Sequence, residues 1–357
     1  INWGYTPSCK LFAAGIVSHV DTECLKEMNE SYLDHGHLHI VPSLILPESG
    51  VIIADARVKA IYGDYFPRSI PILELKAIER AKSMNTLGKI YGFLSEHNVH
   101  RSDIVHVVGG GLICDLAAYG VATFKRGCRL RLYPSTLLSM IDAAIGGKCA
   151  VNYRNIKNHI GTFYPAEEIF IHPNFLHTLS SDELRQGLAE MLKSYLISDQ
   201  LSPLDLSCSI PPSSQILEYA VFKMQLCKSD PYDLGARQQL NFGHTFAHIL
   251  ESSSQYRFKH GDCVVAGMII ALNISLKQGL ISKLSAQALL NTLRQYPLPA
   301  GISDFYGSLD YQDILRATSQ DKKNSNKVTR MVLPVAFRRV EVQEVVLNSV
   351  VLSEGLG

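Results

Sequence analysis

Apolar positions follow two rhythms along this chain. In the first half, short β-branched runs alternate with helix-length segments. Val51-Ile52-Ile53-Ala54 runs into Asp55, Ile70 to Leu75 is a second short run, and Ile104 to Val108 is a buried strand by composition. Ala77 to His97 and Leu112 to Lys125 have helical spacing, and Arg129 to Tyr133 reads as a strand ended by Pro134. Strand, helix, strand at this spacing predicts a parallel sheet with crossover helices. From about Ser181 the segments lengthen, and helices are expected over 182–198, 214–228, 240–254, 263–278 and 283–295. Pro203, Pro211-Pro212, Pro297 and Pro299 punctuate them, and 328–334 with 340–346 form a late extended pair. The expected architecture is an α/β N-terminal Rossmann-like parallel-sheet domain, residues 1–165, plus a mainly α-helical C-terminal domain, 166–357. Candidate chemistry falls on both sides of that boundary, so the active site is expected in the cleft between domains.

Composition narrows the classes. Of 357 residues, 46% are hydrophobic and 19% charged, with a net charge of +1. There is ample material for a core and no general attraction to nucleic acid or to an acidic membrane. Eight cysteines without a C-x-x-C pair favour reduced thiols and a cytoplasmic location. The apolar runs fall short of the roughly 20 residues of a membrane span.

Asn241 to His260 carries the strongest chemical signal. His244 and His248 are four apart, so both imidazoles project from one helical face, and His260 opens a second apolar run. Upstream, Glu190 and Lys193 lie three apart on a third helix. Two histidines and one carboxylate from separate elements make an open catalytic metal site. A histidine in an apolar helix is more often a hydrogen-bonded core residue. Three histidines and a glutamate in such surroundings weigh against that reading, since unpaired polar groups are costly there.

Two segments look suited to phosphate. Gly109-Gly110-Gly111, between a buried strand and a helix, permits close backbone approach to a pyrophosphate, or else makes a tight turn needing positive φ. Asp115, one turn on, either caps the helix or bonds a dinucleotide. Asp142 to Lys148 (Asp-Ala-Ala-Ile-Gly-Gly-Lys), then Asn152, Lys157 and Asn158, is too apolar between 141 and 151 for a solvated loop, which favours ligand contact. Arg126 closes a helix at Lys-Arg-Gly, where a cation suits the helix dipole.

These pieces together resemble the 3-dehydroquinate synthase family, within the wider sugar phosphate cyclases. They are Gly109 to Asp115, Lys125-Arg126-Gly127, Pro134 to Leu138, Asp142 to Lys148, Lys157 to Gly161, Gly187 to Lys193, Arg237 to His248 and His260-Gly261. The resemblance implies a divalent metal, Zn2+ with Co2+ as the alternative, held by Glu190, His244 and His260. It implies NAD contacted by Glu79, Lys82, Gly110, Gly111, Leu112, Asp115, Ser135, Thr136, Lys148, Lys157, Phe175 and Thr178. It implies catalytic roles for Asp142, Lys148, Lys193, Arg237 and His248, and substrate contacts by Arg126, Asn158, Lys223, Asn241 and Lys323. Arg126 would reach a neighbouring subunit's substrate in a homodimer. The implied enzyme is a carbon–oxygen lyase of the shikimate pathway. It oxidises a heptulosonate phosphate transiently, eliminates phosphate, re-reduces, and closes the carbocycle by an aldol step. Cys114, Ser135, Asp233 and Ile78 depart from the family pattern, but no ligand position is lost.

Three alternatives stand beside it: another cyclase, making an aminodehydroquinate-, valiolone- or inosose-type product; a metal- and NAD-dependent polyol dehydrogenase; and a catalytically silent relative kept for binding or assembly, which the intact ligand positions oppose. Valiolone-type cyclases lose the residues equivalent to Asn241 and His248, both present here beside Arg237. That favours a carboxylated substrate.

Overall fold

The computed structural model describes residues 37–41, 46, 49–154, 156–208, 210–310, 314 and 328–346. It divides into two compact units: the chain up to Leu179 with Ile210–Tyr232, and Ser180–Ser209 with the chain from Asp233 onward.

The first unit is built on a parallel sheet. Its strands are β1 (His37–Ile40), β2 (Val51–Asp55), β3 (Ile72–Leu75), β4 (Ile104–Gly109), β5 (Arg129–Pro134) and β8 (Glu168–Ile171). They lie in the order β1-β8-β5-β4-β2-β3, and each described pairing is parallel. All five residues of β2 are buried, as is β4 after its first residue. Parallel strands covered on both faces need such continuous apolar runs. Three helices follow strands: α1 (Ala56–Ile61), α2 (Met84–Glu96) and α3 (Gly111–Thr123). α1 starts where Asp55 Oδ1 accepts from the Arg57 amide at 2.9 Å.

Three expectations change here. The helix anticipated from Ala77 begins only at Met84, because Ser83 caps it and a 3-10 turn occupies Glu79–Ala81. The apolar stretch after Ser139 is a π-helical turn, a glycine turn and the first strand of a hairpin, β6 (Lys148–Tyr153) with β7 (Ile156–Phe163). Gly146 and Gly147, at φ +93° and +69°, make that turn. The chain also leaves the first unit at Leu179, not near 165. β8, too short to stand out between Pro165 and Pro173, sits inside the sheet between β1 and β5. Helix α5 (Ser213–Ser229) returns to this unit after α4 (Ser181–Leu196) of the other and packs on the π-turn and β1.

The second unit is mainly helical: α4, α6 (His244–Ser253), α7 (His260–Lys277), α8 (Lys283–Leu293), α9 (Ile302–Gly307) and the antiparallel pair β9 (Val328–Ala336) and β10 (Arg339–Val346). A capping box starts α4: Ser180 Oγ accepts from the Glu183 amide, and Glu183 Oε2 accepts from the Ser180 amide. α7 has the length and apolarity of a membrane-crossing helix, at mean hydropathy 1.2. Here it is a core helix. Every residue from Gly261 to Leu272 is buried, with α4, α6, α8 and β9 around it. Each large side chain so buried contributes about 1.5–3 kcal/mol. α6 and α7 approach closely through two glycines. A Cβ at Gly267 would lie 2.1 Å from the Gly243 carbonyl oxygen, and Gly243 itself has φ +81°.

Candidate active site

Three helices of the second unit bring Glu190, His244 and His260 together. Glu190 is on the buried face of α4, whereas His244 and His260 are the first residues of α6 and α7. One potential ligand atom from each lies within 4.8 Å of the others. His260 Nε2 is 3.3 Å and His244 Nε2 3.7 Å from Glu190 Oε1. The two rings have centroids 5.4 Å apart. Glu190 is 1% exposed, and neither oxygen meets a donor in good hydrogen-bond geometry. Its neighbours are the two imidazoles and the ammonium of Lys193, itself 2% exposed. A buried carboxylate with unfilled lone pairs, facing two ring nitrogens, fits a divalent cation well.

Electrostatics agree with that fit. Burial alone would raise the Glu190 carboxyl, but Lys193 and the two histidines hold it well below the usual range. Burial, aided by Lys193, pushes His244 down to about 3, so it offers a neutral nitrogen. For His260 burial is outweighed by the facing carboxylates of Glu190 and Glu251, and its value rises to about 10. In this ion-free arrangement a proton on His260 supplies the positive charge that two carboxylates demand.

The start of α7 is fixed from several sides. Buried Asp262 accepts from Tyr296 Oη at 2.8 Å and pairs with Arg185 Nε at 3.2 Å. The Gly261 amide donates to Gln186 Oε1 at 2.5 Å. His248 lies one turn along α6, exposed, with its ring 5.8 Å from that of His244. Arg237, 2% exposed, and Asn241 share the 3-10 turn Ala236–Asn241 that leads into α6.

In the first unit, Gly110 and Gly111 open α3 with no side-chain cap. Their φ values are not positive, which removes the tight-turn explanation. The space is used for packing: a Cβ at Gly110 would lie 3.0 Å from Thr136 Cγ2, and one at Gly111 3.0 Å from Ala143 Cβ. Free helix-start amides beside bare backbone suit a pyrophosphate. Ser135 donates its amide to the Gly109 carbonyl at 2.9 Å. Lys82 contacts both Asp115 and Asn158. Burial raises the Asp115 carboxyl, and Lys82 offsets part of that. Asn152 ties the group together: it donates to Glu79 Oε1 at 2.7 Å and accepts from the Asn158 amide at 2.9 Å. Asn158 is thereby held at φ +52°, which asparagine tolerates better than most residues. Lys223 ion-pairs with Asp142.

A profile described as 3-dehydroquinate synthase N-terminal matches residues 72–186, and one described as 3-dehydroquinate synthase C-terminal matches 187–324. The chain belongs to the 3-dehydroquinate synthase family. A 3-dehydroquinate synthase of Clostridium tetani is 34% identical over 306 residues, 82% of this chain and 81% of that protein. One of Nitratiruptor is 32% identical over 310 residues, covering 82% and 86%. Among solved structures, a 2-epi-5-epi-valiolone synthase of Streptomyces hygroscopicus with NAD+ and Zn2+ bound aligns at TM-score 0.75, with 23% identity over 88% of this chain and 94% of that one. A 2-deoxy-scyllo-inosose synthase complexed with carbaglucose-6-phosphate, NAD+ and Co2+ aligns at 0.72, with 22% identity over 90% and 91%. Both establish the fold, which is the expected one.

Family membership gives the remaining positions their context. Lys148 opens β6 and is exposed, and Lys157 is half-buried on β7. Leu112 is half-buried in the first turn of α3. Arg126 is exposed on a turn where Lys125, Arg126 and Gly127 have φ of 48°, 66° and 107°. Phe175 and Thr178 pack on Tyr62, with ring centroids 4.9 Å apart and a 3.1 Å hydroxyl contact. Lys323 lies outside the described residues. The sequence reading gave no role to Glu251 or to the Arg185–Asp262–Tyr296 brace. A buried acid recurring three and seven residues after the two α6 histidines was the available signal for Glu251.

Proposed function

We propose that this family member catalyses the 3-dehydroquinate synthase reaction itself, converting 3-deoxy-D-arabino-heptulosonate 7-phosphate to 3-dehydroquinate and phosphate. The convergence of Glu190, His244 and His260 carries the reading, because it offers one divalent cation two imidazoles and a carboxylate. When bound, that cation and NAD supply Lewis-acid activation of a hydroxyl and a reversible hydride acceptor.

The chain's own residues do the rest. Gly110, Gly111, Leu112, Ser135 and Thr136 receive the dinucleotide phosphates, and Glu79, Lys82, Asp115, Lys157, Phe175 and Thr178 orient the rest of it. Lys148, Lys193, Lys223 and Arg237 provide the positive charge that a phosphate and a carboxylate need. Asp142 steadies Lys223, and Asn158 and Asn241 fix hydroxyls. His248, exposed and one turn from His244, holds or relays a proton. The pairing of Arg237 with Asn241 and His248 favours a carboxylated substrate over the valiolone type. A cytoplasmic homodimer, with Arg126 serving the partner subunit's substrate, completes the proposal.

The test is phosphate release with the heptulosonate phosphate, zinc and substoichiometric NAD+. Many phosphates per NAD+ support the reading. Accumulated NADH supports a polyol dehydrogenase, and silence with this substrate supports a cyclase acting on another sugar phosphate or an inert relative.

A further inference from the structure

His260 uses both ring nitrogens. Nε2 faces the point where Glu190 and His244 converge, and Nδ1 lies 3.0 Å from Glu251 Oε1. Glu251 is 8% exposed, in the last turns of α6. It is seven residues after His244, so the two stand on one face of the same helix, about 10 Å apart along its axis. His260 comes from a different helix and bridges these positions. Its ring is 5.4 Å from that of His244 at one end and hydrogen-bonded to Glu251 at the other.

We propose that Glu251 is the positioning residue that prepares His260 to bind the cation. An ionised carboxylate only accepts hydrogen bonds, so its partner nitrogen must carry the proton. When the cation takes the place of the Nε2 proton, the proton on Nδ1 therefore stays, and the Nε2 lone pair faces the shared site. One rigid helix then supplies a ligand at its first residue and the restraint on a second ligand two turns later. The close α6–α7 approach at Gly243 and Gly267 keeps that restraint in register. Outer partners of this kind commonly alter metal affinity 10- to 100-fold. The inference rests on the metal reading above, and Glu251 remains outside the group of convergent ligand atoms.

Zinc affinity, measured by competition with a chromophoric chelator, tests this without any turnover. The variants are E251Q, which keeps an acceptor for Nδ1–H, and E251M, which keeps the bulk and loses the acceptor; E190A serves as the control. The wild-type chain should bind one zinc, E251M should bind it about 10- to 100-fold more weakly, and E251Q should lose clearly less than E251M. The visible spectrum of the cobalt-loaded protein should change in E251M and stay close to wild type in E251Q. Unchanged zinc affinity in folded E251M overturns the proposal, as does E251Q weakened as much as E251M. Misfolding of both variants also overturns it, because it assigns Glu251 to helix stability. Failure of the wild-type chain to bind zinc removes the metal reading itself, and the inference with it.

Discussion

The two candidate clusters are built differently. In the second unit, Glu190, His244 and His260 sit on helices, two of them at first residues, and buried hydrogen bonds from Gln186, Tyr296 and Arg185 brace α7. In the first unit, Glu79 opens a 3-10 turn, Lys82 follows it and Asn158 sits on a hairpin; Lys82 contacts both Asp115 of α3 and Asn158, and Asn152 bonds Glu79. The helical cluster concentrates charge on the buried Glu190 and Lys193, with His244 and His260 half-buried beside them. The hairpin cluster is half-open, as an extended ligand that enters and leaves requires. A rigid element holds a site more closely than a loop does. The lesson is that cation binding and dinucleotide binding should fail independently.

The largest effect is expected from E190A, H244A or H260A. Each should lower kcat about 100- to 10,000-fold, the kinetic equivalent of several kcal/mol of Lewis-acid stabilisation. Zinc content by mass spectrometry should fall in parallel, with NAD+ affinity by titration calorimetry little changed. Next comes K82M. It removes two charge-assisted bonds and should raise the KM for NAD+ about 10- to 100-fold, leaving bound zinc near one per chain. Equal loss of zinc in K82M would show that the two clusters are not independent.

A third expectation concerns the packing that brings α6 to α7. G243A places a Cβ 2.6 Å from the Val264 carbonyl oxygen at a left-handed φ. It should cost at least about 1–3 kcal/mol in denaturant unfolding. The matched change in the first unit, G110A, meets the Thr136 side chain, its methyl at 3.0 Å and its hydroxyl at 3.7 Å. Its stability loss should be smaller, about 1 kcal/mol or less, and its main consequence should be weaker NAD+ binding. The gentlest test mixes two inactive variants, R126A and H260A. Partial return of activity on mixing would support Arg126 acting on the partner subunit's substrate.

The two regions were also unequally legible in sequence. The central strands were readable because β2 is apolar up to Asp55 and β4 is apolar apart from His106, and the helices of the second unit because their spacing is long and regular. Glu190, His244 and His260 stood out as polar residues in apolar segments, although spacing alone did not choose between His248 and His260. The first unit hid more. Glu79 and Lys82 lay inside what read as one helix, since a local pattern cannot reveal that Ser83 would cap it. Their meeting with the hairpin residues Asn152 and Asn158 is a contact across more than 70 residues of sequence, which no local pattern shows. β8 carries only four residues between Pro165 and Pro173, too few for a periodic signal, and the first unit continues past it to Leu179. Glu251 was passed over because its partner comes from the next helix.

The most direct measurement is anomalous diffraction at the zinc edge from crystals of the zinc-loaded protein. One peak per chain is expected, about 2.0–2.2 Å from a Glu190 oxygen and from the Nε2 atoms of His244 and His260. A peak on other residues, or no peak with those three side chains in place, would contradict the assignment.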